Sequence, residues 1–222
     1  MCPPCLCAEA KNSLHRDTQR ADKQLKNERM NYSPSITKED MSTLPVAQFP
    51  GQTVVVENQQ AVHAAIAYLS AFDHVGFDTE TRPSFSKRQN HKMALIQLAT
   101  PERCYLFRLN RLGGIPQQLE EFLKNRQTVK IGLSLRDDFH NMRKIMKFSP
   151  GNFIDLQNIV SSFGIQEASL QKIYAILFGE KISKRMRLSN WEADILSKAQ
   201  KQYAALDAWA CLQIYQKLNQ SS

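Results

Sequence analysis

The chain is 222 residues long, 42% hydrophobic and 23% charged, enough for one mid-sized domain with a real core and too short to hold a fused helicase or polymerase. Lys and Arg outnumber Asp and Glu by 29 to 21, a formal charge of +8 that favours polyanionic partners without choosing between nucleic acid, a membrane surface and plain solubility. No apolar run approaches the ~20 residues that span a bilayer, and the N-terminus lacks the apolar stretch of a secretory signal, so the expected setting is soluble and cytoplasmic, with no membrane partner.

Residues 1–29 are polar, alternate in charge and show no apolar period; a dispensable tail or a gene-model extension is expected there, with Met30 as the true start. Cys2, Cys5 and Cys7 crowd this end. A soft metal would need a fourth ligand that the segment does not offer, so a tail is preferred over a zinc site. Residues 30–52 read as an extended lead-in and 53–220 as the domain proper. From there the periodicities predict, in order, a strand at 53–56, a helix at 61–72, a strand at 74–79, strands at 93–98 and 104–107, a helix at 119–124 and a strand at 129–132. A helix at 135–146, a strand at 153–154, helices ending near 163 and spanning 170–177, and a final helix at 198–218 complete the series. Three adjacent strands that should pair antiparallel, followed by strands alternating with helices, predict an α/β fold with a mixed central sheet flanked by helices on both faces.

Three groups of carboxylates stand out. Asp78 and Glu80, at i and i+2 on a predicted strand, leave the same face, and two carboxylates at that spacing attract a hard divalent cation; a solvated strand end is the plainer alternative. Tyr203 and Asp207, at i and i+4 in the last helix, share a face, and alanines around Asp207 leave its carboxylate to pair with a cation, cap a helix or enter a buried salt bridge. Asp137 and Asp138 are adjacent, and helical phase separates them: Asp138 falls with Met142 and Ile145 on the more apolar side, Asp137 with Asn141 and Lys144. Asp138 is therefore preferred, and Asp137 is read as a first-turn charge favoured by the helix dipole.

The order Phe77-Asp78-Thr79-Glu80-Thr81, then Lys130-Ile131-Gly132 leading to Asp138-Phe139-His140-Asn141-Met142, then Tyr203-Ala204-Ala205-Leu206-Asp207, resembles the three motifs of the DEDDy 3′–5′ exonucleases, the group of ribonuclease D and the Werner exonuclease domain. The resemblance covers about residues 53–218 and extends to Leu188-Ser189-Asn190-Trp191. It implies an RNase H-like fold, two Mg²⁺ or Mn²⁺ ions and a nucleic-acid partner, DNA or RNA with a free 3′ end. It also implies that Asp78 bridges both ions, that Glu80 and Asp207 complete the first site, and that Asp138 holds the second, partly through water. Tyr203 would orient the attacking water. A catalytically silent nucleic-acid-binding module of the same fold is the alternative, although all four carboxylates are present.

Around these motifs Arg82, Lys87, Arg88 and Lys92 crowd one loop, and Lys181, Lys184, Arg185 and Arg187 another. Contacts to phosphates would position a strand without reading its sequence, while solvated loops explain the same residues. Phe85 and Trp191 are candidates to stack on terminal bases, with core packing as the alternative. His140 and Trp209 read as packing residues.

Overall fold

The computed structural model describes residues 32–84 and 91–220. The order is α1 (Lys38–Thr43), β1 (Gln52–Val56), α2 (Gln59–Leu69), β2 (His74–Thr81), β3 (Met93–Ala99), β4 (Arg103–Arg108), α3 (Leu109–Leu112) and α4 (Gln117–Lys124). Then follow β5 (Val129–Gly132), α5 (Leu135–Arg143), β6 (Phe153–Asp155), α6 (Gln157–Val160) with a 3₁₀ turn, α7 (Leu170–Phe178) and α8 (Lys198–Gln220). The six strands form one sheet in the order β1-β4-β3-β2-β5-β6. β2, β3 and β4 pair antiparallel, as expected, and β1, β5 and β6 add on in parallel.

Every residue of β3 is buried, the pattern of a central strand covered on both faces. On one face α7 and α8 pack over Leu95, Leu106 and Ile131. On the other, residues of α2, α4 and α5 close over Phe77, Leu98 and Phe107. The close approach of α8 to the sheet depends on small residues: a Cβ at Gly76 would lie 1.9 Å from the Ala208 carbonyl oxygen. In α2, Asn58 caps the first turn by accepting from the Ala61 N–H at 2.9 Å, and Val62, Ala65 and Leu69 form the buried stripe.

Three segments differ from the sequence expectation. The lead-in is not wholly extended: Thr37 caps the short helix α1 by accepting from the Asp40 N–H at 3.0 Å. It then runs beside Lys181, with the Ala47 N–H donating to the Lys181 carbonyl and the Lys181 N–H to that of Pro45. Helix α5 stops at Arg143 rather than near 146, where the backbone tightens to i→i−3 bonds, Lys144 N–H to the Asn141 carbonyl and Ile145 N–H to that of Met142, and Phe148 folds into the core. Helix α3, a single turn closed by Gly113 in the left-handed region (φ 76°), is too short to leave a periodic signal. Among the described residues no helix is long and apolar enough to cross a membrane.

Candidate metal centre

The polar residues converge where β2 ends. Even-numbered residues of β2 face α8, so Asp78 and Glu80 point at that helix, and α8 returns Asp207 to meet them. One carboxylate oxygen from each of Asp78, Glu80 and Asp207 lies within 4.8 Å of the others. The phase of α8 is set at its first turn by a reciprocal cap. The Gln200 N–H donates to Ser197 Oγ at 3.2 Å, and the Ser197 N–H donates to Gln200 Oε1 at 3.0 Å. Tyr203, one turn before Asp207, sets its hydroxyl close enough to that carboxylate to act on its charge.

Asp138 approaches from the opposite face. Thr79 points away from Asp78 and Glu80, and its hydroxyl donates to Asp138 Oδ1. Asp137 is exposed, whereas Asp138 is half-buried. The turn that presents Asp138 is held by Asp155 at the end of β6, whose two carboxylate oxygens accept from the Ser134 and Leu135 N–H groups at 3.0 and 2.9 Å. Neither Thr79 nor Asp155 was legible as a site residue, because the sequence carries no sign that β6 ends under the first turn of α5.

Crowding of negative charge is severe. Burial, then the charges of Asp207, Glu80 and Asp138, hold the Asp78 pKa well above the carboxylate range. Glu80 is pushed up to about 9 by burial and by Asp207 and Asp138, with Arg187 pulling the other way. Asp207 rises to about 7 through burial, against the Tyr203 hydroxyl. Asp138 rises to about 6, again through burial and against the Thr79 hydroxyl. Tyr203 is itself raised, by burial and by Asp207 and Glu80, so it stays a protonated donor. Asp207 Oδ1 is buried and has no hydrogen-bond partner. An orphaned buried oxygen beside two more carboxylates, with an oxygen-only donor set, fits a hard divalent cation. Binding such a cation would release the protons that burial retains.

The basic residues are arranged less uniformly. Arg187 is exposed and its charge reaches Glu80. Arg185 lies with Lys198 and Met186 on the wall of a groove of about 620 Å³ that also touches Tyr203 and Leu206. Lys184 is exposed. Lys92 lines a separate pocket with Lys144 and Glu192. Arg82 is engaged by Glu192 at 3.3 Å. Lys181 donates to the Ser42 carbonyl and so fastens α1. Trp191 is wholly buried, its ring centroid 6.0 Å from that of Tyr203. It has no face free for a base, which corrects the stacking expectation in favour of core packing. His140 is exposed rather than packed. Trp209 packs edge-on to Phe49 and donates to the Pro101 carbonyl. Phe85, Lys87 and Arg88 lie outside the described residues, as do the N-terminal cysteines and Met30.

The coil bearing Trp191 and Glu192 is tied to the sheet by the fully buried Arg108. Its guanidinium donates to Glu57 at 2.8 Å and to the carbonyls of Ala193 and Asp194. Sequence reading missed this residue, since an arginine ending a strand looks like any solvated terminus.

Comparison with known proteins agrees with this geometry. Residues 53–221 match the sequence profile of the 3′–5′ exonuclease family. The mouse bifunctional 3′–5′ exonuclease/ATP-dependent helicase WRN is 31% identical over 186 residues, 79% of this chain and 13% of the relative. A 3′–5′ exonuclease of Arabidopsis thaliana is 32% identical over 155 residues, covering 67% of this chain and 54% of that protein. The chain thus spans from about an eighth to about half of the length of these relatives. Among solved structures, Escherichia coli RNase D superposes with a TM-score of 0.68 at 21% identity, over 76% of this chain and 44% of that one. The exonuclease domain of Aedes aegypti Nibbler gives 0.67 at 23%, over 77% and 88%. These likenesses establish the RNase H-like fold of the domain. By its profile match and its relatives, the chain belongs to the 3′–5′ exonuclease family.

Proposed function

We propose that the protein hydrolyses nucleic-acid phosphodiesters from a free 3′ end, releasing nucleoside 5′-monophosphates. The observation that carries this reading is the trio Asp78, Glu80 and Asp207, with oxygens within 4.8 Å of one another and a buried, unpaired Asp207 Oδ1. Asp78 would bridge two divalent ions, Mg²⁺ or Mn²⁺, with Glu80 and Asp207 completing one site and Asp138 serving the other, partly through water. When bound, such ions supply an activated water and stabilise the leaving 3′-oxygen of an in-line displacement. Water adds to phosphorus as the P–O3′ bond breaks; the shortened strand keeps a 3′-hydroxyl and the product carries the 5′-phosphate.

Tyr203 orients the attacking water through its hydroxyl. Its raised pKa removes it as a base at neutral pH. Thr79 fixes Asp138 through its hydroxyl. Arg187, Arg185, Lys184 and Lys92 offer phosphate contacts, and Arg82 does so once Glu192 yields it; on sequence grounds Lys87 and Arg88 are further phosphate candidates and Phe85 a candidate to stack on a terminal base.

The test is a gel assay on 5′-labelled DNA and RNA oligonucleotides with Mg²⁺, Mn²⁺ or EDTA, beside Asp78→Ala. A metal-dependent ladder shortening from the 3′ end, lowered at least ~10³-fold in the variant as several kcal/mol of charge stabilisation are lost, is expected. It would also name the preferred sugar. Salt-sensitive binding without a ladder would turn the reading to a silent binding module.

A further inference from the structure

Besides Asp207 Oδ1, a second buried side chain on the carboxylate face has no partner. Gln97 is fully buried in β3, and neither its Oε1 nor its Nε2 makes a hydrogen bond. In the antiparallel ladder its Cα partner on β2 is Asp78, so the two side chains leave the same face of the sheet with Cβ atoms about 5 Å apart. Its partner on the other side is Leu106, a core residue. A carboxamide placed there for packing alone is a poor choice, because an apolar side chain of the same length fills the space without stranding a donor and an acceptor.

The surroundings of Asp78 say what the amide offers. Cys104 and Cys211 are buried, and burial together with the charge of Asp78 keeps both thiols protonated; a thiol is only a weak donor. A lysine or arginine in this row would hold Asp78 but would repel a cation. A neutral amide N–H orients a carboxylate without adding positive charge to the site.

We propose that Gln97 is a positioning residue for Asp78. Its unpaired amide, the cross-strand neighbour of Asp78, is the group available to donate to the Asp78 carboxylate as that carboxylate turns to take divalent ions. This inference rests on the metal-dependent reading above. Groups that orient metal ligands typically change metal affinity ~10–100-fold when removed.

The experiment uses the full chain, with Gln97→Leu and Gln97→Met beside the parent. Free Mn²⁺ is followed by its electron paramagnetic resonance signal during titration, and melting temperatures are recorded without metal. The proposal expects both variants to melt at or above the parent's temperature while binding Mn²⁺ at least ~10-fold more weakly. Equal Mn²⁺ affinity in parent and variants would overturn it while leaving the metal centre intact. Lower melting temperatures paralleling the weaker binding would make Gln97 a packing residue and also overturn it. A parent that binds no Mn²⁺ would overturn both the metal centre and the role of Gln97. Met tests the site again if the branched Leu does not fit.

Discussion

The carboxylates and the cations are carried by different kinds of structure. Asp78 and Glu80 ride on β2, paired with β3 on one side and β5 on the other, and Asp207 rides on a 23-residue helix seated against the strand at Gly76. Arg185 and Arg187 sit exposed on coil between α7 and α8. Rigid elements fix what must be accurate to a fraction of an ångström, whereas loops can follow a strand that differs from one substrate to the next. Burial tells the same story, since the carboxylates proposed to hold a cation are buried or half-buried and the arginines proposed to meet phosphate are exposed. The framework is therefore the place where a single atom matters, and the loops are the place where charge adds up.

Removing one oxygen from the framework tests that contrast most sharply. Tyr203→Phe keeps the ring against Trp191 and loses the hydroxyl that meets Asp207. We expect kcat to fall ~10²-fold, the scale of a misplaced reacting group, with KM little changed and the fold intact by circular dichroism. A change below threefold would show that the water is oriented without the tyrosine.

Next in size is the second carboxylate support. Thr79→Val removes the donor to Asp138 at nearly constant volume. That hydrogen bond holds the Asp138 pKa down against burial, so its loss raises the pKa above about 6. Because the ionised form is the one that serves a metal, the acidic limb of the pH–rate profile moves to higher pH. Activity at pH 7 falls ~10-fold, the lower end for groups that orient metal ligands. An unmoved limb would detach Asp138 from the rate.

The same division governs what the sequence discloses. The i, i+2 pair on β2 and the i, i+4 pair on α8 are set by the local geometry of strand and helix, so they are readable from spacing alone. Asp138 could be preferred over Asp137 because helical phase is also local. What brings these groups together is not local. That Asp155 would cap the turn before Asp138 depends on β6 lying beside β5, and that Gln97 would face Asp78 depends on the register of a ladder whose two strands are separated in the chain by residues 82–92. Trp191 shows the opposite error: an aromatic near a predicted site invites reading as a base-stacking contact, and only the coil folding back over the sheet turns it into core.

The smallest effect separates two arginines that look equivalent in composition. Arg82 is paired with Glu192 at 3.3 Å, so its charge is partly spent before a substrate arrives. Arg187 makes no ion pair among the described residues, and its charge is felt at Glu80, beside the point where the scissile phosphate would lie. Removing one cation that neutralises a phosphate lowers the slope of log affinity against log salt by ~0.7 for a single strand. Arg187→Ala should therefore raise KM a few-fold and reduce that slope by the amount of one phosphate, with kcat nearly unchanged, and Arg82→Ala should do less of both. The measurement is KM for a single-stranded oligonucleotide at several salt concentrations. Equal effects from the two variants would mean that Glu192 releases Arg82 at no cost when nucleic acid binds, and the Arg82–Glu192 pair would then be an interaction that the substrate replaces rather than one that withholds the charge.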